Sequence, residues 1–462
     1  MTGTKEEARL FDSRSQQNLI FATTKENENI GRLAAIEDRN SNRIDFLYEG
    51  KDLKRVTHSD GVSLIVTTTP EGFINTIVSE EGFHREPLVS YTYTPKGELA
   101  SVIGPFCGEF HYTYTREGLI NHWHDSGKTS VDIEYDRDGK VIATRTPEGL
   151  YNDRFVYFPE EKKTEYHDAV GAITTHWFNP NNLLIKEQDP LGHITTHEID
   201  GLDRKRSTTD ALGRTIQYDY DPYGKLISET DWNGKTTKLT YNKQGQITQI
   251  DYPDQTNIIW TYDDQGNVIE VKEPDGSKSF YTYDTHGRLI SETGPDGRAS
   301  RLDYDAAGRL LSLRNALGYT TNYRHDRWGR LREITDPEGR RTTYDYETTT
   351  DNPRGSISKI SYPDGGEETF AYDSEGQIKS HQKEEGQTTK YEHGAFDLLQ
   401  KITDPRGFTT KLDYDKAARL KTITNAAGQT WHYGYNLAGQ LTTETDWAKR
   451  QTVYKRDALG RI

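Results

Sequence analysis

Sulfur is almost absent from this chain of 462 residues: Cys107 is its one cysteine and Met1 its one methionine. A lone cysteine excludes an internal disulfide framework and any cysteine-built zinc site. That fits assembly in a reducing compartment, with Cys107, in Gly104-Pro105-Phe106-Cys107-Gly108, read as an incidental or buried thiol. Long hydrophobic runs are missing too. No stretch approaches the ~18 apolar residues of a membrane span, and the charged start, Met1 to Arg9, is no signal peptide. Apolar residues make up only 32% of the chain. Even with glycine added, the share stays below the roughly 45–50% usual in globular domains. A net charge of −15 with interspersed signs offers no basic stripe, which argues against nucleic acid as a partner.

The common catalytic signatures are lacking as well. There is no glycine-rich phosphate loop, no His-Glu-x-x-His pair and no Gly-x-Ser-x-Gly elbow. The most metal-like cluster is His122-Trp123-His124 with Asp125, near His111; in a strand, His122 and His124 share a face. Two polar residues flanking a core tryptophan explain it as well. Asp136-x-Asp138-Gly139 lacks the later ligands of a calcium loop and reads as a turn. The sequence therefore assigns no catalytic, cofactor-binding or metal site, and no cofactor is expected.

What is abundant is tyrosine and glycine, with 29 Tyr and 40 Gly. Disordered chains are poor in aromatics. A low-apolar, tyrosine-rich chain points instead to thin sheet with both faces near water, where a ring with a polar tip fits. The tyrosines recur every 21 residues at Tyr220, Tyr241, Tyr262, Tyr283 and Tyr304. Four residues after each comes Gly224, Gly245, Gly266, Gly287 and Gly308; two further on come Leu226, Ile247, Val268, Leu289 and Leu310. Such a period marks a repeat array. The phase extends from Tyr48 to Arg456, giving 20 anchors of which 15 are Tyr or Phe.

Glycine fills the fourth position in 13 units, and four of the seven exceptions are Asn or Asp: Asp52, Asn182, Asp203 and Asp397. These are residue types that tolerate a left-handed backbone, so the slot is a tight turn. A second glycine track lies between the first, at Gly192, Gly213, Gly234, Gly318 and Gly339 among others. Two turns per unit leave strands of 5–7 residues, and the fold class is all-β: a long antiparallel meander. Before the anchors, Tyr218, Leu239, Trp260 and Tyr281 fall on the same strand face as the anchor. After them, Leu331 and Ile334, Leu399 and Ile402, and Leu420 and Ile423 lie three apart. That spacing requires either a bulge or an outward apolar residue.

The organisation expected is a non-repeat segment over 1–40 and the repeat array over 41–462. Thr4-Lys5-Glu6-Glu7 has the form of a capping box for a short helix. Extra residues between Thr68 and Tyr93, and at Thr348–Ser356, mark longer loops.

The units Tyr283-Asp284-Thr285-His286-Gly287-Arg288-Leu289 and Tyr304-Asp305-Ala306-Ala307-Gly308-Arg309-Leu310 carry the signature of the Rhs/YD-repeat family, and the chain resembles it over residues 48–462. The resemblance implies a β-strip spiralling into a hollow shell. In bacterial members that shell encloses a C-terminal toxin delivered by type VI secretion or by Tc-type complexes, and teneurins carry a similar shell on animal cells. It further implies an enclosed toxin domain, the remaining shell segments and a needle-tip protein as partners, with a cytoplasmic stage before export. The family's closing segment, with its self-cleavage site, has no counterpart before Ile462, where the text stops in mid-repeat. The expectation is a central wall section. Asp189-Pro190, Asp336-Pro337 and Asp404-Pro405 lie in repeat turns and are read as turns rather than cleavage sites. The leading reading is a non-enzymatic encapsulation scaffold, whose tyrosine ladder carries stability and whose inward polar residues meet the cargo. The rival is a surface binding protein whose exposed aromatics contact glycans.

Overall fold

A computed structural model describes residues 7–12, 15–23, 31–80, 87–104, 108–326, 328–347 and 355–462. They form 42 antiparallel strands in one sheet, each hydrogen-bonded to its sequence neighbours. Two single-turn 3₁₀ segments, Pro159–Glu161 and Ala395–Asp397, are the only helical elements among the described residues. The strands are short because each repeat contains two turn boxes about ten residues apart; Thr215–Tyr220, Leu226–Thr230 and Thr236–Tyr241 are typical.

Residues 1–40 lack the tyrosine phase, yet their described part is strand of the same sheet: Glu7–Asp12, Gln17–Thr23 and Gly31–Glu37 pair in succession. Glu7 opens a strand; the rest of the Thr4–Glu7 box lies outside the described residues, as do Cys107, residues 81–86 in the first insertion and 348–354 in the second.

The register settles the choice between bulge and outward residue. Tyr323 pairs with Ile334 and His325 with Leu331, while the register slips between Arg324 and His325. The extra residue, Arg332, returns both aliphatics to the tyrosine face. The same slip sets Leu399 opposite His393 and Ile402 opposite Tyr391, and sets Leu420 opposite Tyr414 and Ile423 opposite Leu412. A bulge therefore recurs in most units, though not in that of Tyr157, and it adds local twist to the strip.

Most turns that follow an anchor are built alike; those after Tyr157 and His393 are the two 3₁₀ segments, headed by Phe158 and Gly394. The residue after the anchor places its side-chain oxygen over two N–H groups: Asp284 Oδ1 accepts from His286 (2.9 Å) and Arg288 (3.0 Å). The N–H of Gly287 bonds the Asp284 carbonyl at 3.1 Å, with Gly287 at φ +75°. Asn182, Asp203 and Asp397 adopt φ of +61°, +62° and +56°, so the non-glycine occupants take the same left-handed turn. Asp52 does not: it opens the strand Asp52–His58, and the left-handed residue there is Gly50.

The chain divides into two compact units. One comprises Met1–Glu109, Tyr241–Gln249 and Thr256–Thr369; the other comprises Phe110–Thr240, Ile250–Gln255 and Phe370–Ile462. Within the first, Asn42 Nδ2 donates to the His286 carbonyl (2.9 Å), a contact across 244 residues, and Asn40 pairs with Asn267 across 227. Within the second, Lys128 Nζ donates to the His393 carbonyl (2.7 Å), and the Tyr151 N–H to the Lys416 carbonyl (2.8 Å). In each unit a seam of turn against turn thus joins two distant stretches of strip.

Burial is thin. Ile20 and Ala35 are fully enclosed, few other apolar side chains approach that state, and most anchors are half-buried. Two glycines separate backbone strain from seam packing. A Cβ on Gly224 would meet open space, whereas one on Gly287 would collide with the Asn40 amide. Gly224→Ala should cost only the left-handed penalty, about 1 kcal/mol, and speed amide exchange in its own turn. Gly287→Ala should also speed exchange across 38–42; equal effects of the two at 38–42 would refute the seam role of Gly287.

Candidate functional site

The repeat unit is the most heavily bonded feature of the structure, and it ties each unit to the next. The phenol of Tyr283 donates to the carbonyl of Val268 (2.8 Å), fifteen residues earlier, in the sixth slot of the preceding unit. Tyr262 does the same to Ile247 (2.6 Å), Tyr304 to Leu289 (2.9 Å), Tyr346 to Leu331 (2.8 Å) and Tyr435 to Leu420 (2.8 Å). Tyr220 reaches Lys205 (2.8 Å). Burial pushes the phenol of Tyr283 up from its ordinary value, which keeps the donated proton in place. Arg456 stands where a tyrosine is expected and donates from Nε to the Leu441 carbonyl (2.8 Å), again fifteen residues back. Where the slot holds a long side chain with a donor at its tip, that donor reaches the same carbonyl whether it belongs to a phenol or a guanidinium.

The residue after the left-handed turn position is often arginine, as in Arg204, Arg288, Arg309 and Arg419. It is a three-way tie. Arg288 Nε lies 2.6 Å from Asp284 Oδ2 in its own turn. Its Nη1 donates to the Asp305 carbonyl (3.1 Å) in the next turn, and its guanidinium sits 5.3 Å from the centre of the Tyr304 ring. Arg204 and Arg419 repeat all three contacts with Asp200, Asp221 and Tyr220, and with Asp415, Asn436 and Tyr435. The available signal was the acid–base spacing Asp-x-x-x-Arg on every such turn. These ties are partly buried at the rim of the sheet, and each is worth up to about 1 kcal/mol; their number along the strip is what counts.

The face away from the tyrosines is polar and cross-linked strand to strand. Ser228 donates to Asp219 (2.8 Å), Ser312 to Asp303 (2.7 Å) and Lys401 to Glu392 (2.6 Å). This face satisfies its own charges across neighbouring strands.

The remaining candidates resolve into local structure. His111 pairs with His124 and Thr113 with His122, so the three histidines do share a face. The His111 and His124 rings stack at 4.8 Å and 17°, which directs their nitrogens along parallel planes rather than toward one point. His122 Nδ1 is taken by Asp132 (2.8 Å) and His124 Nδ1 by the Asp125 carbonyl (3.0 Å). Among the described residues no group of three or more His, Cys, Asp or Glu side chains is placed to hold a metal ion. Asp136 Oδ1 accepts from Asp138 and Lys140, both at 2.9 Å, as in any other turn of the array. In the Asp-Pro turns, Asp189, Asp336 and Asp404 likewise accept turn N–H groups. A pair that the sequence did not reveal is Asp153 and Tyr166, 2.9 Å apart. Burial raises the carboxyl of Asp153, and burial followed by the Asp153 bond raises the phenol of Tyr166.

Comparison with known proteins identifies the unit. The Teneurin YD-shell family model matches residues 202–288, and the RHS Repeat model matches 283–321, 304–341, 325–367, 372–409 and 414–451. The Probable deoxyribonuclease RhsB of Dickeya dadantii (strain 3937) is 29% identical over 157 residues, covering 34% of this chain and 11% of that protein. The Probable deoxyribonuclease RhsA of the same strain is 30% identical over 148 residues, covering 32% and 10%. The chain thus spans about a tenth of these relatives. Among solved structures, TcdB2–TccC3 aligns with a TM-score of 0.52 at 13% identity, over 93% of this chain and 29% of that one. TcdB2–TccC3–TEV aligns with a TM-score of 0.51 at 12% identity, over 98% and 33%. At that identity the likeness is one of fold.

Two outcomes test the unit. Tyr283→Phe should remove one inter-unit bond, about 1 kcal/mol, with faster exchange at residues 268–270. Arg456→Tyr should keep the bond to Leu441, whereas Arg456→Met should lose it; equal exchange in the two variants would refute the donor requirement. The second test is acid. The carboxyl groups of Asp200 and Asp457 are held below the usual range, first by the bonds from Arg204 and Arg461 and then by turn N–H groups. A depressed pKa stabilises fully above the unfolded value, near 4, and that gain is lost as pH falls through the folded value. Thermal melts should therefore be flat from about pH 7 to 5 and fall below about pH 4. Asp200→Asn should remove that residue's share of the acid dependence, because an amide oxygen still accepts; an unchanged acid profile would count against the turn carboxylates.

Proposed function

We propose, on the premise that this chain belongs to the Rhs/YD-repeat family, that it is a section of an encapsulating wall which sequesters a toxin domain. The observation that carries this reading is the one-layer sheet. Its stability lies in bonds between successive units, and it encloses little of its own side-chain surface. A protein built around its own core has no further use for such a strip; a container does. The face away from the tyrosines, largely polar and partly paired across strands, can lie against another polypeptide without offering it a dry core.

In this reading the wall itself performs no reaction and needs no cofactor. The enclosed domain, the further wall segments and a needle-tip or pore-forming carrier are its partners. The protein is made in the cytoplasm and acts after delivery to a target cell. Among the described residues no helix is long and apolar enough to cross a membrane; in this reading the carrier supplies passage. The deoxyribonuclease named in the Dickeya relatives belongs to those proteins; a nuclease is one class of cargo such a wall would hold.

Glycan binding through exposed aromatics is the competing reading. Protease challenge of the product of the intact gene separates the two. Encapsulation is supported if a polypeptide segment co-purifies and resists protease until the sheet is unfolded by acid or denaturant. If every segment is cleaved at native pH and the protein is retained on immobilised glycans, the container reading fails.

A further inference from the structure

The left-handed residues of the array that are not glycine are held in two different ways. Asn182, Asp203, Ala418 and Lys449 each bond the carbonyl three residues back, so their own turn keeps them in place. Tyr151 (φ +54°) and Phe396 (φ +56°) send their N–H groups elsewhere. The Tyr151 N–H goes to the Lys416 carbonyl at 2.8 Å, and the Phe396 N–H goes to Thr129 Oγ1 at 2.9 Å. Both bonds cross the seam of the second unit, and the two rings meet edge-on at 5.0 Å. A left-handed backbone is unfavourable for a residue with a Cβ and persists only where its surroundings impose it. Here the surroundings are the seam itself. At the seam of the first unit Ser41 is left-handed too, but its N–H bonds Asp38 within its own turn.

Tyr151 belongs to residues 146–153, which join the strands Val141–Arg145 and Arg154–Phe158. This connection has eight residues where the turn at 210–214 has five. Its two strands share one ladder pair, Ala143 with Arg154, whereas Arg154–Phe158 is zipped to Lys163–His167 along its whole length. The connection is bonded within itself, Thr146 Oγ1 to the Leu150 carbonyl (2.8 Å) and the Thr146 N–H to Asn152 Oδ1 (2.7 Å). Its downstream end is pinned at Asp153, whose N–H bonds the Tyr151 carbonyl (2.9 Å) and whose Oδ2 accepts from Tyr166 (2.9 Å). Leu150 is buried, and Lys416 Nζ donates back across the seam to the Glu148 carbonyl.

We propose that residues 146–153 are a sprung clasp. They close one seam of the strip as a single piece, and on release Tyr151 and Phe396 return together to a right-handed backbone. Closing gains the seam bonds and strains both residues; opening gives up those bonds and recovers the strain. The ladder of Arg154–Phe158 with Lys163–His167 is untouched by either state. The seam therefore opens as one local event, well short of unfolding the sheet. Neither strained residue can relax alone, because the ring and the N–H of each are engaged across the same contact. The clasp is a property of this chain and does not depend on whether the wall holds cargo.

Hydrogen exchange of the full chain, read by mass spectrometry at neutral pH, tests this. Segments 146–153 and 394–398 should exchange at one common rate, at least about tenfold faster than the ladder at 154–158. Thr129→Val removes the acceptor of the Phe396 N–H and should speed exchange in both segments about fivefold. Phe396→Ala and Phe396→Gly both remove the ring, but only glycine takes the left-handed backbone freely. The alanine variant should therefore open about fivefold more readily than the glycine variant. The proposal is overturned if the two segments of the wild type exchange at unrelated rates, or as slowly as 154–158. It is equally overturned if Thr129→Val speeds 394–398 alone, or if the alanine and glycine variants exchange alike.

Discussion

A sheet one layer thick cannot bury its side chains, and every other feature of this structure answers that constraint. The backbone ladder joins neighbouring strands, but a ladder alone leaves a strip free to twist, fray and slip in register. What holds successive units in place is a side chain that ends on a backbone carbonyl of the unit before or after its own. The tyrosine hydroxyl does this from the ring side, and the arginine does it from the turn. Both end on backbone oxygens, so the tie is indifferent to the side chain that the partner carries.

This explains the tolerance of the array and its limits. The sixth slot can be Leu, Ile or Val because its carbonyl is the partner, yet Leu53 or Lys205 also sits beside the turn without breaking the strip. Asp and Asn interchange at the head of the turn because each presents an oxygen to two N–H groups. The anchor is more demanding. Arg456 satisfies it by chemistry unlike tyrosine's, through Nε rather than a phenol. His325 has a shorter side chain, and its Nδ1 is buried without a hydrogen-bond partner. Reach and a donor let Arg456 replace the tyrosine tie, while Phe178 and Ile199 fill the slot without making it.

How much could be read before any coordinates were at hand followed from what is local. The turns were legible because Asp, Gly and Asn in fixed spacing encode a backbone conformation within five residues. The strand faces were legible from Tyr218 with Tyr220 and Tyr281 with Tyr283, since alternation is a property of a single strand. The bulge was half-legible: Leu331 and Ile334 announced an irregularity, but pairing with Tyr323 and His325 was needed to place it. The role of the arginine was not read, although Asp284 and Arg288 displayed the spacing. Two of its three contacts are made to a unit seventeen residues on, where no local pattern points.

The sequence by itself determined the class of fold, the period, the turn chemistry and the absence of a recognisable catalytic motif, because each of these is written within one repeat and then written again. Only the tertiary structure decided that the tyrosine hydroxyl binds the preceding unit, that Gly287 must be small for Asn40 as well as left-handed, and that Leu202 and Tyr223 stand uncovered while Phe396 in the same position is packed. The last two depend on what lies across a seam of more than two hundred residues. Identical repeats carry no mark of which neighbour they will meet; the accumulated twist of many short strands decides it.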